Sequence, residues 1–161
     1  MRFHWLLAFL VCGLIFPFAT ADERRIYKPY VVLSGSDSGI REIEHHRITD
    51  QGSLDKLWRR HAGKRDNAAV PLIDFKRCMV VAVFGGPRKD CAGIVPSLVA
   101  DGLSGQLNVT YAARPVAPGG AAVDTIPFGF FVIERLTKPI TLKELAEGKR
   151  TVRAKLPALK G

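Results

Sequence analysis

Cysteine is scarce in this chain: Cys12, Cys78 and Cys91 are the only three among 161 residues. No spacing of cysteine and histidine has the form of a metal-binding set, and no glycine-rich stretch has the form of a phosphate loop. Internal repeats and low-complexity blocks are absent as well. The longest apolar run, Leu6 to Phe18, is too short to cross about 30 Å of hydrocarbon at about 1.5 Å per residue. Acidic residues are the other shortage, 15 against 24 lysines and arginines, for a formal charge of +9.

What is present reads as one globular domain. The chain is 47% hydrophobic and 24% charged, with 15 glycines and 10 prolines spread along it, which excludes disorder throughout. A single domain near this size buries roughly 68–70% of its unfolded surface, enough to fold without a metal clip. The first 21 residues stand apart. Arg2 and His4 precede the apolar run, and Ala19-Thr20-Ala21 supplies the small-x-small pattern of a signal-peptidase site, so residues 1–21 are expected to be a secretory signal and the protein secreted or periplasmic. Removing Arg2 leaves 23 basic against 15 acidic residues, +8. An exported basic protein points to an anionic envelope polymer or an acidic protein partner, and away from nucleic acid; no membrane span is expected after cleavage.

The pattern beyond residue 21 is mostly β. Ile26 to Leu33 reads as a short strand, ended by the turn formers Ser34 to Gly39. Ile40 to Thr49 reads as an exposed edge strand. Ser53 as cap, Asp55 in the first turn and Leu54, Leu57, Trp58 and His61 at helical spacing predict a short amphipathic helix from Ser53 to Ala62, with Arg59 and Arg60 on its wet face. Cys78 to Phe84, bounded by Gly85-Gly86-Pro87, is the clearest buried strand; Ile94 to Ala100, Gln106 to Ala113 and Phe128 to Leu136 follow. Phe128 and Phe130 share one face of the last strand, and Phe131 and Ile133 the other, as in a strand between two apolar layers. Thr141-Leu142-Lys143-Glu144 has the form of a capping box, and with Gly148 as a stop it predicts a second helix of about two turns, with Lys149 to Gly161 a frayed basic tail. The expected architecture is mostly β or α+β: an antiparallel sheet or β-sandwich with one or two short helices, a β-rich domain over residues 22–136 and a helix and basic tail over 137–161.

From about Ile48 to Arg135 the chain resembles the PrcB C-terminal domain family, exported bacterial domains named after an accessory protein of a surface protease complex. The resemblance lies in the helix ending in Leu57-Trp58, the Leu72-Ile73-Asp74-Phe75 entry, the strand Met79 to Phe84, the Gly85-Gly86-Pro87 turn and the Ile126-Pro127-Phe128 start of the last strand. The family's Pro-Thr-Gly-Gly-Tyr-like turn is replaced here by Arg88 to Ile94, in which only Gly93 corresponds. A similar turn serves a group of exported cysteine-protease inhibitors. The resemblance implies an exported, non-catalytic domain that binds or stabilises another protein, and it brings no catalytic residue and no cofactor.

The chemistry-bearing residues point the same way. Gly35-Ser36-Asp37-Ser38-Gly39 has the spacing of a hydrolase nucleophile turn, but its centre is Asp37 and no helix signal follows, so a flexible turn is expected. His45 and His46 are neighbours on a strand, pointing to opposite faces, so no metal site is expected. An even pair of cysteines in an oxidising compartment predicts a bridge between Cys78 and Cys91. A hairpin around Gly85 to Asp90, however, would hold them about 20 Å out of register at ~3.3 Å per residue, so both states stay open. The expected contact residues are Arg88, Lys89 and Asp90. The chain thus reads as a secreted, non-enzymatic protein-interaction domain that accompanies or stabilises an extracellular protease. The alternatives are a protease inhibitor acting through that turn, or attachment to an anionic envelope polymer through Arg59, Arg60, Lys64, Arg65, Lys149, Arg150, Arg153 and Lys155.

Overall fold

The computed structural model describes residues 26–63, 69–102, 105–116 and 122–160. The expected signal segment 1–21, Lys64 and Arg65 lie outside the described residues. Among the described residues two larger sheets and one helix form three layers. One sheet has five strands in the order β1 (Ile26–Tyr27), β6 (Cys91–Asp101), β7 (Leu107–Pro115), β10 (Ile140–Ala146) and β11 (Lys149–Leu156). The other has four, in the order β2 (Tyr30–Gly35), β9 (Phe128–Glu134), β4 (Cys78–Gly85) and β3 (Ile43–Ile48). A two-stranded ribbon pairs β5 (Arg88–Lys89) with β8 (Asp124–Thr125). All described strand pairings are antiparallel except β7 with β10, which run parallel, and an isolated bridge of Asp37 with Ile126 is parallel too.

The mostly-β fold follows from the period-two patterns. β4 is buried along nearly its whole length because it lies between β3 and β9 and presents an apolar side chain to both neighbouring layers. Met79, Val81 and Val83 join Phe131 and Ile133 of β9 against the five-stranded sheet, where Leu107, Val109, Ile140 and Leu142 meet them. Val80, Ala82, Phe84, Phe128 and Phe130 face the helix. At Gly129 β9 lies close against β6 of the other sheet; a Cβ there would collide with the carbonyl of Ile94. Gly93, at φ 148°, lets β6 lie against Ser34 and Gly35 of β2, which draws the two sheets together at that side.

Helix α1 (Gln51–Ala62) buries Leu54, Leu57, Trp58 and His61, the stripe expected from the spacing. Its cap is Asp50, not Ser53: Asp50 Oδ1 accepts from the Ser53 amide at 2.8 Å and Oδ2 from the Ser53 hydroxyl at 2.7 Å. Asp is as good a cap as Ser, and with the cap at Asp50 the helix begins at Gln51, two residues earlier than expected.

Five other expectations are corrected. The single strand Ile26 to Leu33 is two: Pro29 interrupts the ladder, and β1 and β2 join different sheets. β4 and β6 form no hairpin; after Gly86 (φ 64°) the chain crosses to the other sheet. The second helix is a strand. Ile140, Leu142 and Glu144 are buried at every second position of β10, and Glu147 and Gly148 (φ 49° and 75°) form a two-residue turn into β11. Pairing with β7 and the burial of that face outweigh a local capping signal worth about 1 kcal/mol. Residues 149–156 are therefore an edge strand and no frayed tail, and the boundary expected at 136/137 falls inside one domain.

Candidate functional site

A polar cluster fills the seam where β3 faces β11 across the open side of the sandwich. Glu144 occupies an inward position of β10 that the alternation would give to an apolar residue, and it is 3% exposed. Tyr111 of β7 is its register partner. Opposite the step from Leu142 to Lys143, β11 carries one extra residue, Arg153, and this bulge turns a side chain of the exposed edge strand inward. Arg153 Nε and Nη2 each lie 2.7 Å from Glu144 Oε2. Arg88 reaches in from β5, with Nη1 2.5 Å from Glu144 Oε1 and Nε donating to the Gly85 carbonyl at 3.1 Å. His45 of β3 completes the group, its Nε2 3.1 Å from the Tyr111 hydroxyl.

The electrostatics follow from this packing. Burial disfavours the Glu144 carboxylate, but the two guanidiniums outweigh it and hold the carboxyl below its ordinary range. The bond to Glu144 raises Arg88 above its usual value despite its burial. Burial, reinforced by the nearby His46, pushes the His45 imidazole below its ordinary value, and burial pushes the Tyr111 phenol well above its own. At neutral pH the cluster holds two positive charges and one negative. A half-enclosed cavity of about 250 Å³ opens onto it, lined by Ile43, His45, Phe84, Gly85, Arg88, Tyr111 and Arg153.

The expected contact turn divides in two. Arg88 faces this cluster, half-buried against Glu144 at the cavity wall. Lys89 and Asp90 are exposed on the β5–β8 ribbon, Lys89 paired with Asp124 at 2.5 Å. Asp90, at φ 51°, donates its amide to the Val123 carbonyl at 2.9 Å, and its Oδ1 accepts from the Val123 amide at 2.8 Å.

The turn at Ser36 to Gly39 is pinned, not flexible. Ile126 N donates to Ser36 O at 2.7 Å, Ser38 N to Ile126 O at 3.0 Å and Gly39 N to His61 O at 2.7 Å. Ser38 is 2% exposed; its hydroxyl accepts from the Ile40 amide at 3.0 Å and lies 3.1 Å from His61 Nδ1. His61, 4% exposed, lies with its ring centre 3.9 Å from that of Phe128. A serine and histidine thus do meet, Ser38 buried and His61 at the wall of a cavity of about 290 Å³ that Ser36, Asp37 and Phe128 also line.

His45 and His46 point to opposite faces, as their strand positions require. His46 Nε2 meets Glu44 Oε2 at 2.7 Å, and Glu44 Oε1 meets Arg60 at 2.8 Å on the helix side. Among the described residues no three His, Cys, Asp or Glu side chains converge to hold a metal. Cys78 and Cys91 are free thiols; they sit in different sheets, and the Cys91 thiol donates to the Gly93 carbonyl at 3.4 Å.

The sequence reading missed Glu144 and Tyr111 as site residues. A charged residue at the third inward position of Ile140, Leu142, Glu144 was the available signal, hidden by the capping-box reading. Comparison with family models, with curated proteins and with solved structures finds no match.

Proposed function

We propose that this protein is an exported, non-catalytic interaction domain that accompanies or stabilises an extracellular protease, and that its contact surface is the β5–β8 ribbon. One observation carries the reading: Arg88, half-buried and ion-paired to the buried Glu144, anchors a ribbon whose neighbouring Lys89 and Asp90 are exposed. A charged turn held in one conformation loses little entropy on binding. Affinity capture from culture supernatant and envelope fractions tests it. A discrete protease retained at about 0.5 M salt by the wild-type chain, and lost with Lys89→Glu/Asp90→Lys, is the expected result. Retention of the same protein by that double variant rejects the ribbon as the contact.

A second reading, attachment to an anionic envelope polymer, is favoured by β11. Its sequence from Lys149 to Leu156 holds four basic residues and no acidic one, with Lys149, Arg150, Arg153 and Lys155 exposed on a sheet edge. Lysines and arginines also guard edges against strand pairing, so salt dependence separates the two roles. Binding to a sulfated polysaccharide should fall steeply between low and about 0.5 M salt and weaken with Lys149→Gln/Arg150→Gln.

A further inference from the structure

We infer that the cavity at the β3–β11 seam is a binding site for a carboxylate group carried on a small apolar stem. Two guanidiniums line it, and Glu144, the only carboxylate in their cluster among the described residues, lies behind them. One positive charge is left over in a half-buried setting, where a charge without a counter-charge is costly. Part of each guanidinium is unspent: Arg88 uses Nε and Nη1, and Arg153 uses Nε and Nη2. Among the described residues no hydrogen bond falls on Arg88 Nη2 or Arg153 Nη1. Planar nitrogen donors of this kind match the oxygens of a carboxylate, and a single leftover charge matches a monoanion better than a phosphate dianion. The remaining walls set the stem: Phe84 is apolar, and Ile43 stands 67% exposed at the rim with no described partner to cover it. About 250 Å³ holds a short-chain or aromatic acid, or the last residue of a peptide.

The test is titration of the full chain, followed by amide chemical shifts. Isobutyrate and benzoate probe a free acid, and an N-acetylated peptide ending in valine probes a chain terminus. Isobutyramide, benzamide and the peptide amide are the neutral controls. Saturable binding of at least one carboxylate, with shifts at Ile43, His45 and Arg153 and none from its amide, is expected. Binding of the free acids assigns a small-molecule ligand; binding of the peptide alone assigns a protein terminus. Arg153→Gln, on a half-exposed edge, should weaken binding about ten-fold, the loss of one charge-assisted hydrogen-bond donor. Glu144→Gln removes the competing carboxylate and should tighten it. Where Glu144→Gln fails to fold, Arg153→Gln decides. No saturable binding by any carboxylate, equal binding of the amides, or binding unchanged in Arg153→Gln overturns the inference.

Discussion

Glu144 is the residue on which the seam depends. Its carboxylate is buried and ion-paired to two arginines, so removal of either leaves charge poorly compensated in a dry place. Arg88→Ala should therefore destabilise the fold by about 3 kcal/mol, the low end of the range for one partner of a buried pair, because Arg153 still serves Glu144. Urea unfolding checks this, and a loss within error of zero would mean that water reaches the carboxylate. Lys89→Ala breaks only an exposed pair with Asp124 and should leave the urea midpoint unchanged. The cysteines give a second residue-scale expectation. Cys78 and Cys91 sit in different sheets and are unbonded, so both should be alkylated in denaturant without reductant. Protection of both until reduction would show that a bridge forms. For Cys78 and Cys91 the even count pointed one way and strand geometry the other; geometry prevailed, although through a crossover between sheets and not the hairpin that the spacing implied.

At the scale of elements, the β10–β11 hairpin shows where local signals mislead. Thr141-Leu142-Lys143-Glu144 satisfies a helix start by composition, but the same residues alternate inward and outward against β7. The turn beyond them needs positive φ at both Glu147 and Gly148. Gly148→Ala should cost about 1–2 kcal/mol through the left-handed backbone alone, since a Cβ there meets nothing within 4 Å. Thermal unfolding of that variant measures it, and no change would argue against the turn. A chain ending at residue 137 strips β7 of one of its two partners, β10, and uncovers Leu107, Val109 and Tyr111, so it should lose cooperative unfolding. Helix α1, by contrast, was legible almost residue by residue, because its stripe meets one flat sheet face and needs no distant information.

For the whole molecule, the seam makes stability depend on pH. His45 folds with a pKa below its ordinary 6.5, and Glu144 with one below its ordinary 4.5. In both cases the unfolded chain takes up a proton that the folded chain resists, so acid favours unfolding. Stability should be full above pH 6.5, decline as the pH falls from there toward the folded pKa of His45, and decline again below 4.5 toward that of Glu144. The urea midpoint measured across this range checks the sign. His45→Gln should remove the first decline while leaving the second, and a midpoint that rises on acidification would contradict the packing.

The sequence by itself determined the β-rich class, the helix stripe, the doubly buried β4 and the two faces of β9. Each depends on periodicity within one segment, and burial of a continuous apolar face is the largest local signal a chain carries. Only the tertiary structure decided that Arg88, Arg153, Glu144, Tyr111 and His45 meet. They come from five strands, and their encounter depends on a bulge in β11, a parallel pairing of β7 with β10 and the crossing of the chain after Gly86. None of these is a property of neighbouring residues: a buried ion pair forms where the packing of two sheets leaves a seam, and that seam exists only once both sheets are in place.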